Sequence, residues 1–168
     1  MALTIEWKHR IDRWQEAIWK SIYRPIGNVA LSGFISREQL TAKQALTMKF
    51  TPMPPGTHWG AKWEYSWMRG EVSLPPEAAG KRIVVKLEPG GTESLVWING
   101  QEAGSTGWGH REITLARSGK PGEHFDILLA DEAPDKESNR IAIGRPAFPQ
   151  DGIGKSRGIA CCVDTAFP

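Results

Sequence analysis

The stretch WEYSWMRGEVSLPPEAAGKRIVVKLEPGGTESLVWINGQEAG, from Trp63 to Gly104, decides the fold. Trp63, Tyr65 and Trp67 alternate with Glu64, Ser66 and Met68, the period of two expected of a strand with two unlike faces, and the strand runs on to Val72. LPPEAAGK is a turn, and Arg82 to Leu87 is the next strand. PGGTE turns again into the strand SLVWI, which Asn99-Gly100 closes. Asn-Gly suits a type I′ turn, whose two central residues both take positive φ, and it is the strongest hairpin signal in the chain. Arg111 to Leu115 and His124 to Leu129 complete the series around the SGKPG turn. Short strands at this spacing with no interleaved helices predict a mainly β domain, an antiparallel β-sandwich or jelly roll, over residues 59–131.

Working outward, Ile5, Trp7, Ile11, Trp14, Ile18, Ile22 and Tyr23 fall at helical spacing among Lys8, Arg10, Arg13, Glu16 and Lys20. With Thr4 as N-cap and Arg24-Pro25 and Gly27 as stop, residues 1–24 are expected to hold an N-terminal amphipathic helix packed on the following domain. Residues 25–58 read as a connector, with short strands at Ala30 to Ile35 and Met48 to Phe50, before Pro52, Pro54, Pro55 and Gly56 break the pattern. Beyond Leu129 no period is visible, and residues 132–168 are expected to form an irregular tail.

The 168 residues suit one domain, and hydrophobic residues at 40% with charged residues at 24% suit an ordinary globule. No apolar run approaches the ~18 residues of a membrane span, and the N-terminus lacks the apolar core of a signal peptide. A cytoplasmic protein with no membrane partner is the expectation. The net charge is +2, and basic residues form no clustered stripe, so no nucleic-acid partner is expected. Cys161 and Cys162 have no CxxC or paired His beside them and read as small apolar residues or free thiols.

No catalytic constellation is legible. His124-Phe125-Asp126 sets two potential ligands on one strand face but lacks the third that a catalytic zinc needs, so no metal site is assigned. There is no GxSxG elbow, and Gly152 to Ser156 resembles only the end of a phosphate loop. The eight tryptophans remain. Trp59, Trp63, Trp67, Trp97 and Trp108 lie in the β region, where indole faces either fill the core or stack on sugar rings. Trp63, Trp67 and Trp97 are expected to fill the sandwich core or to meet the Trp-rich helix. Trp108, in the turn-like GSTGWGH, is expected at the surface, and with His110, Asn99 and Arg111 it makes the candidate carbohydrate-binding set.

The run from Trp63 to Gly104 resembles the N-terminal β-domain of family 38 glycoside hydrolases, the α-mannosidases. An aromatic-Arg strand, a P-AGK turn, the ESLVW strand and an NG hairpin follow in the family's order, and the helix ending Ile22-Tyr23-Arg24 fits its cytosolic-type members. A related pattern, an Arg strand followed by VWxNG, occurs in the jelly rolls of β-galactosidase and β-glucuronidase relatives. The resemblance, over roughly residues 5–130, implies an accessory domain or fragment whose partner is the catalytic domain of a parent hydrolase. That domain holds a divalent zinc and an Asp nucleophile. None of its motifs maps onto this sequence, so no catalytic residue and no cofactor is assigned here. The alternative is a free-standing, lectin-like carbohydrate-binding module, with glycans as its partners.

Overall fold

A computed structural model of the chain describes residues 5–61, 63–107, 110–133, 154–155 and 158–165. In chain order the elements are α1 (Ile5–Ile22), β1 (Tyr23–Val29), β2 (Leu31–Ser36), α2 (Ala42–Ala45), β3 (Thr51–Pro52), β4 (His58–Trp59), β5 (Tyr65–Ser73), β6 (Ile83–Glu88), β7 (Ser94–Ile98), β8 (Gln101–Thr106), β9 (Glu112–Ala116), β10 (His124–Glu132), β11 (Gly154–Lys155) and β12 (Gly158–Asp164). The strands form a four-stranded sheet in the order β1-β12-β6-β9, a six-stranded sheet in the order β3-β2-β5-β10-β7-β8 and a two-stranded pair of β4 and β11, all neighbours antiparallel. This is the jelly roll sandwich that the alternation predicts.

Apolar side chains of the two inner faces meet in the core. Met68, Val96, Ile127 and Leu129 of the six-stranded sheet pack with Val85, Leu87, Ile113 and Ile159 of the four-stranded one. A second group around Leu74, Ile83, Phe125, Cys161 and Val163 extends it. Trp59 is buried in this core, and its indole N–H donates to the Pro89 carbonyl at 2.8 Å, so the one polar atom of a large apolar side chain is satisfied. The Asn99-Gly100 hairpin has both residues at positive φ, 52° and 76°, as a type I′ turn requires.

Strand β2 falls where a short strand was expected at Ala30 to Ile35 and joins the six-stranded sheet, but residues 25–58 are not merely a connector, because β1 belongs to the four-stranded sheet. Pro25 and Gly27 obscured β1, yet it is an edge strand with an irregularity between them, where a missing N–H is tolerated. Met48 to Phe50 is not a strand; Thr51–Pro52 is.

The irregular tail is corrected too, because Gly158–Asp164 is a central strand. Ile159, Cys161 and Val163 face the sandwich core, while Cys162 and Asp164 on the other face are buried as well. A strand covered on both sides shows no polar alternation, so the period of two vanished from its sequence. Residues 134–153 lie outside the described residues.

The helix is where it was expected, but its cover is not. Trp7 and Trp14 are 54% and 72% exposed, and Ile5, Ile11 and Ile18 are exposed with them. The helix does not lay its stripe on the sandwich. It is held at its base, where the Thr165 hydroxyl and N–H both donate to the Ile22 carbonyl.

Candidate functional site

The outer face of the six-stranded sheet is where exposed aromatic surface and polar groups converge. On β5 the residues facing outward are Tyr65, Trp67 and Arg69; on β10 they are Asp126, Leu128 and Ala130; on β7 they are Leu95 and Trp97. Trp67 and Trp97 sit on strands separated by β10, yet their rings stack with centroids 5.6 Å apart and planes 24° from parallel. Ala130 makes this possible: it is the partner of Trp67 in the register, and its methyl leaves room for two indoles to meet above the middle strand. An offset stacked pair contributes about 0.5–1.5 kcal/mol beyond its burial.

A strap from Arg37 to Phe50 crosses part of this face. Its α2 turn is set by a capping box, in which the Thr41 hydroxyl accepts from the Gln44 N–H and the Gln44 side chain accepts from the Thr41 N–H. Ala45, Leu40 and Phe50 of the strap pack on Trp67, Leu128 and Phe34, with Phe34 and Phe50 edge-on at 5.1 Å. Trp67 is therefore buried, at 3% exposure, outside the sandwich core.

Beside the strap lies an open depression of about 810 Å³. Tyr65, Trp67 and Trp97 form its floor, Gln39 to Lys43 one wall, and Glu93 and Glu132 stand among the residues around the rest. Gln39 donates from its amide to the Tyr65 hydroxyl at 3.3 Å, which ties wall to floor. The Trp67 indole N–H is buried and has no acceptor among the described residues. An orphaned buried N–H costs on the order of 1–3 kcal/mol.

Next to the depression the same face carries ion pairs. The Arg69 guanidinium donates to both carboxylate oxygens of Asp126, at 2.9 and 3.0 Å, and to Glu71 at 3.3 Å. The hydrogen bonds to Asp126 hold the Arg69 pKa above its ordinary value. His124 lies 3.7 Å from Glu71 and within hydrogen-bond distance of Ser73, so the two candidate ligands of the His-Phe-Asp strand are turned to separate partners. Among the described residues no three His, Cys, Asp or Glu side chains cluster as a metal site.

On the inner face a polar row crosses four neighbouring strands: Ser66, Asp131, Ser94 and Thr106, paired in register and all buried. The Gly91 N–H and the Ser94 hydroxyl donate to Asp131 at 2.7 and 3.0 Å. Burial nonetheless pushes the Asp131 carboxyl up to about 7. A Cβ at residue 91 would stand 2.3 Å from the Glu132 carbonyl and 2.4 Å from the Asp131 carboxylate, so only glycine lets the loop close over the acid. Sequence reasoning missed this residue, since Asp131 sits in a run of charges, ADE, that reads as strand end.

Of the expected sugar-binding set, Asn99 is not brought together with His110 and Arg111. Asn99 forms the hairpin, where its side-chain oxygen accepts from the Asp126 N–H and its own N–H donates to the Asp126 carbonyl, both at 2.8 Å. His110 and Arg111 stand at the opposite end of β8, about 20 Å away at ~3.3 Å per residue. There Arg111 approaches Glu88 at 3.5 Å and His110 approaches Glu112 at 3.9 Å. Trp108 lies outside the described residues. Of the tryptophans expected in the core or against the helix, Trp67 and Trp97 face the strap and depression instead, and Trp63 is exposed in a left-handed conformation, φ 68°. Asn99 and Gly100 carry the turn, which is all that the NG signal encodes.

Comparison with known proteins agrees with this architecture. The model of a family described as the α-mannosidase jelly roll domain matches residues 28–151. The chain is 32% identical over 113 residues to α-mannosidase 2C1 of Homo sapiens, an alignment that spans 67% of this chain and 10% of that protein. The chain thus corresponds to about a tenth of the length of that curated relative. Among solved structures it is similar in fold to the β-glucuronidase of Faecalibacterium prausnitzii, with TM-score 0.55 and 14% identity over 86% of this chain and 32% of that one. The β-glucuronidase of Ruminococcus gnavus is alike to the same degree, with TM-score 0.55 and 15% identity over 84% of this chain and 28% of that one. The family match over residues 28–151, which takes in most of the sandwich, places the chain in the α-mannosidase jelly roll domain family.

Proposed function

We propose that the chain is the non-catalytic accessory domain of an α-mannosidase-like glycoside hydrolase, and that hydrolysis of α-mannosides takes place in a part of a longer protein outside these residues. The observation that carries this reading is the family match, which covers residues 28–151 while the aligned chain amounts to 10% of the human relative. The catalytic metal that the family resemblance implies belongs on this reading to that other part. The bare stripe of Trp7, Ile11, Trp14 and Ile18 supports a docking role, since a contiguous apolar strip of this kind marks a contact surface. The unbridged, buried Cys161 and Cys162 fit a reducing, cytoplasmic setting.

The test is hydrolysis of an aryl α-mannoside by the native gene product, by the same product lacking residues 1–165, and by the 168-residue chain alone. Turnover by the native product, its loss in soluble form on deletion, and none from the chain alone are expected. Turnover by the isolated chain overturns the proposal.

A further inference from the structure

The depression beside the strap has a floor of aromatic rings and polar groups of both signs around it. We propose that it is a glycan-binding site, one that takes a hexose ring of a neutral oligosaccharide against the face of Trp97. The site goes beyond the accessory reading and does not depend on it.

Three observations carry the assignment. The volume of about 810 Å³ lies within the range of small-ligand pockets, roughly 300–1,000 Å³, and accommodates one to three sugar units. Trp97 is half-buried and fixed by its stack on Trp67, so its plane is set before any ligand arrives, which lowers the ordering cost of binding. A pyranose presents a C–H face to such a ring and hydroxyls around its rim. Glu93 and Glu132 accept from those hydroxyls, and the Gln39 amide both donates and accepts.

The same groups argue against other occupants. An apolar protein segment laid on this floor would strip water from Glu93 and Glu132 without replacing it. An anionic sugar or a phosphate would meet two carboxylates with only Lys43 to offset them among the described lining residues. A neutral, hydroxyl-rich ring satisfies both the aromatic floor and the acidic rim.

The experiment is a titration of the ¹⁵N-labelled 168-residue chain with α-mannobiose, α-mannotriose and cellobiose, read at the indole N–H resonances of its eight tryptophans. The Trp67 and Trp97 signals are assigned from Trp67→Phe and Trp97→Phe. Saturable shifts of these two signals with at least one sugar are expected, with Kd in the millimolar range. Trp97→Ala weakens binding about tenfold or more. Glu93 and Glu132 are exposed, so Glu93→Gln with Glu132→Gln leaves the fold intact, and this pair weakens binding about fivefold through lost hydrogen bonds. The proposal is overturned if no sugar moves either signal at ~50 mM, which corresponds to negligible affinity. It is also overturned if the shifts fall on Trp108 instead, or if affinity is unchanged in both the Trp97→Ala and the paired Gln variants.

Discussion

Replacing Asp131 by Asn isolates the energetic consequence of placing an acid in the sandwich. The side chain is fully buried and accepts two hydrogen bonds, yet desolvation outweighs them and raises its pKa to about 7. Its ordinary value is 3.8, so the folded state binds this proton more tightly than the unfolded chain does. The sign follows: the contribution of Asp131 to stability is fully present below about pH 4 and is lost as pH rises toward 7, at up to about 1.4 kcal/mol per pH unit. Across that interval the loss is on the order of 4 kcal/mol, a large share of a typical 5–15 kcal/mol. Asn has the shape of the protonated acid: its oxygen accepts from the Gly91 N–H, and its amide donates to the Ser94 oxygen once that hydroxyl turns. Asp131→Asn is therefore expected to match the wild type near pH 4 and to exceed it by several kcal/mol at pH 8. Urea unfolding of both proteins at unit pH steps from 4 to 8 measures the difference, which cancels every other titrating group. A difference that stays constant with pH refutes the reasoning.

Other outcomes follow from single contacts. Gly70→Ala is expected to destabilise by about 2 kcal/mol or more, because the new Cβ would meet the Val29 side chain at 2.5 Å and the Ala30 carbonyl at 2.9 Å, which a thermal melt detects. Cys161 and Cys162 are buried, and burial pushes the Cys161 thiol up to about 11, so a thiol reagent at pH 8 is expected to label neither until denaturant is added. Trp7→Ser with Trp14→Ser is expected to leave the unfolding midpoint nearly unchanged, since both indoles are exposed, while reducing hydrophobic-dye binding and self-association measured by light scattering.

How much of this could be read from residues alone depends on what each face of an element touches. Strands β5 to β10 were legible because turns with Pro, Gly and Asn separate them, and the NG dipeptide defines its own geometry. Strand β12 was not, because Cys162 and Asp164 are buried opposite Ile159, Cys161 and Val163, and nothing polar and exposed marks its second face. In β5 the alternation was visible but its sense was misread. The core-facing residues include Ser66 and Gly70, while Trp67 faces outward beneath the strap. Periodicity says that two faces differ and is silent on which one has the second sheet above it. The same holds for α1, whose stripe was plain while its cover was not. The depression itself depends on Ala130 standing between two indoles from strands thirty residues apart, a juxtaposition that only register supplies.

The placement of β12 also bears on the order of assembly during synthesis. It lies between β1, made near the start of the chain, and β6, made midway, and β1 has no other partner in its sheet. Until residues 158–164 have left the ribosome, that layer exists only as the β6-β9 pair, and Met68, Ile127 and Leu129 of the six-stranded sheet lack part of their cover. A nascent chain in this condition exposes two unpaired strand edges and an open apolar surface for the time taken to translate the intervening residues. At about 5–20 residues per second that is several seconds, long enough for chaperones or neighbouring chains to compete for the gap.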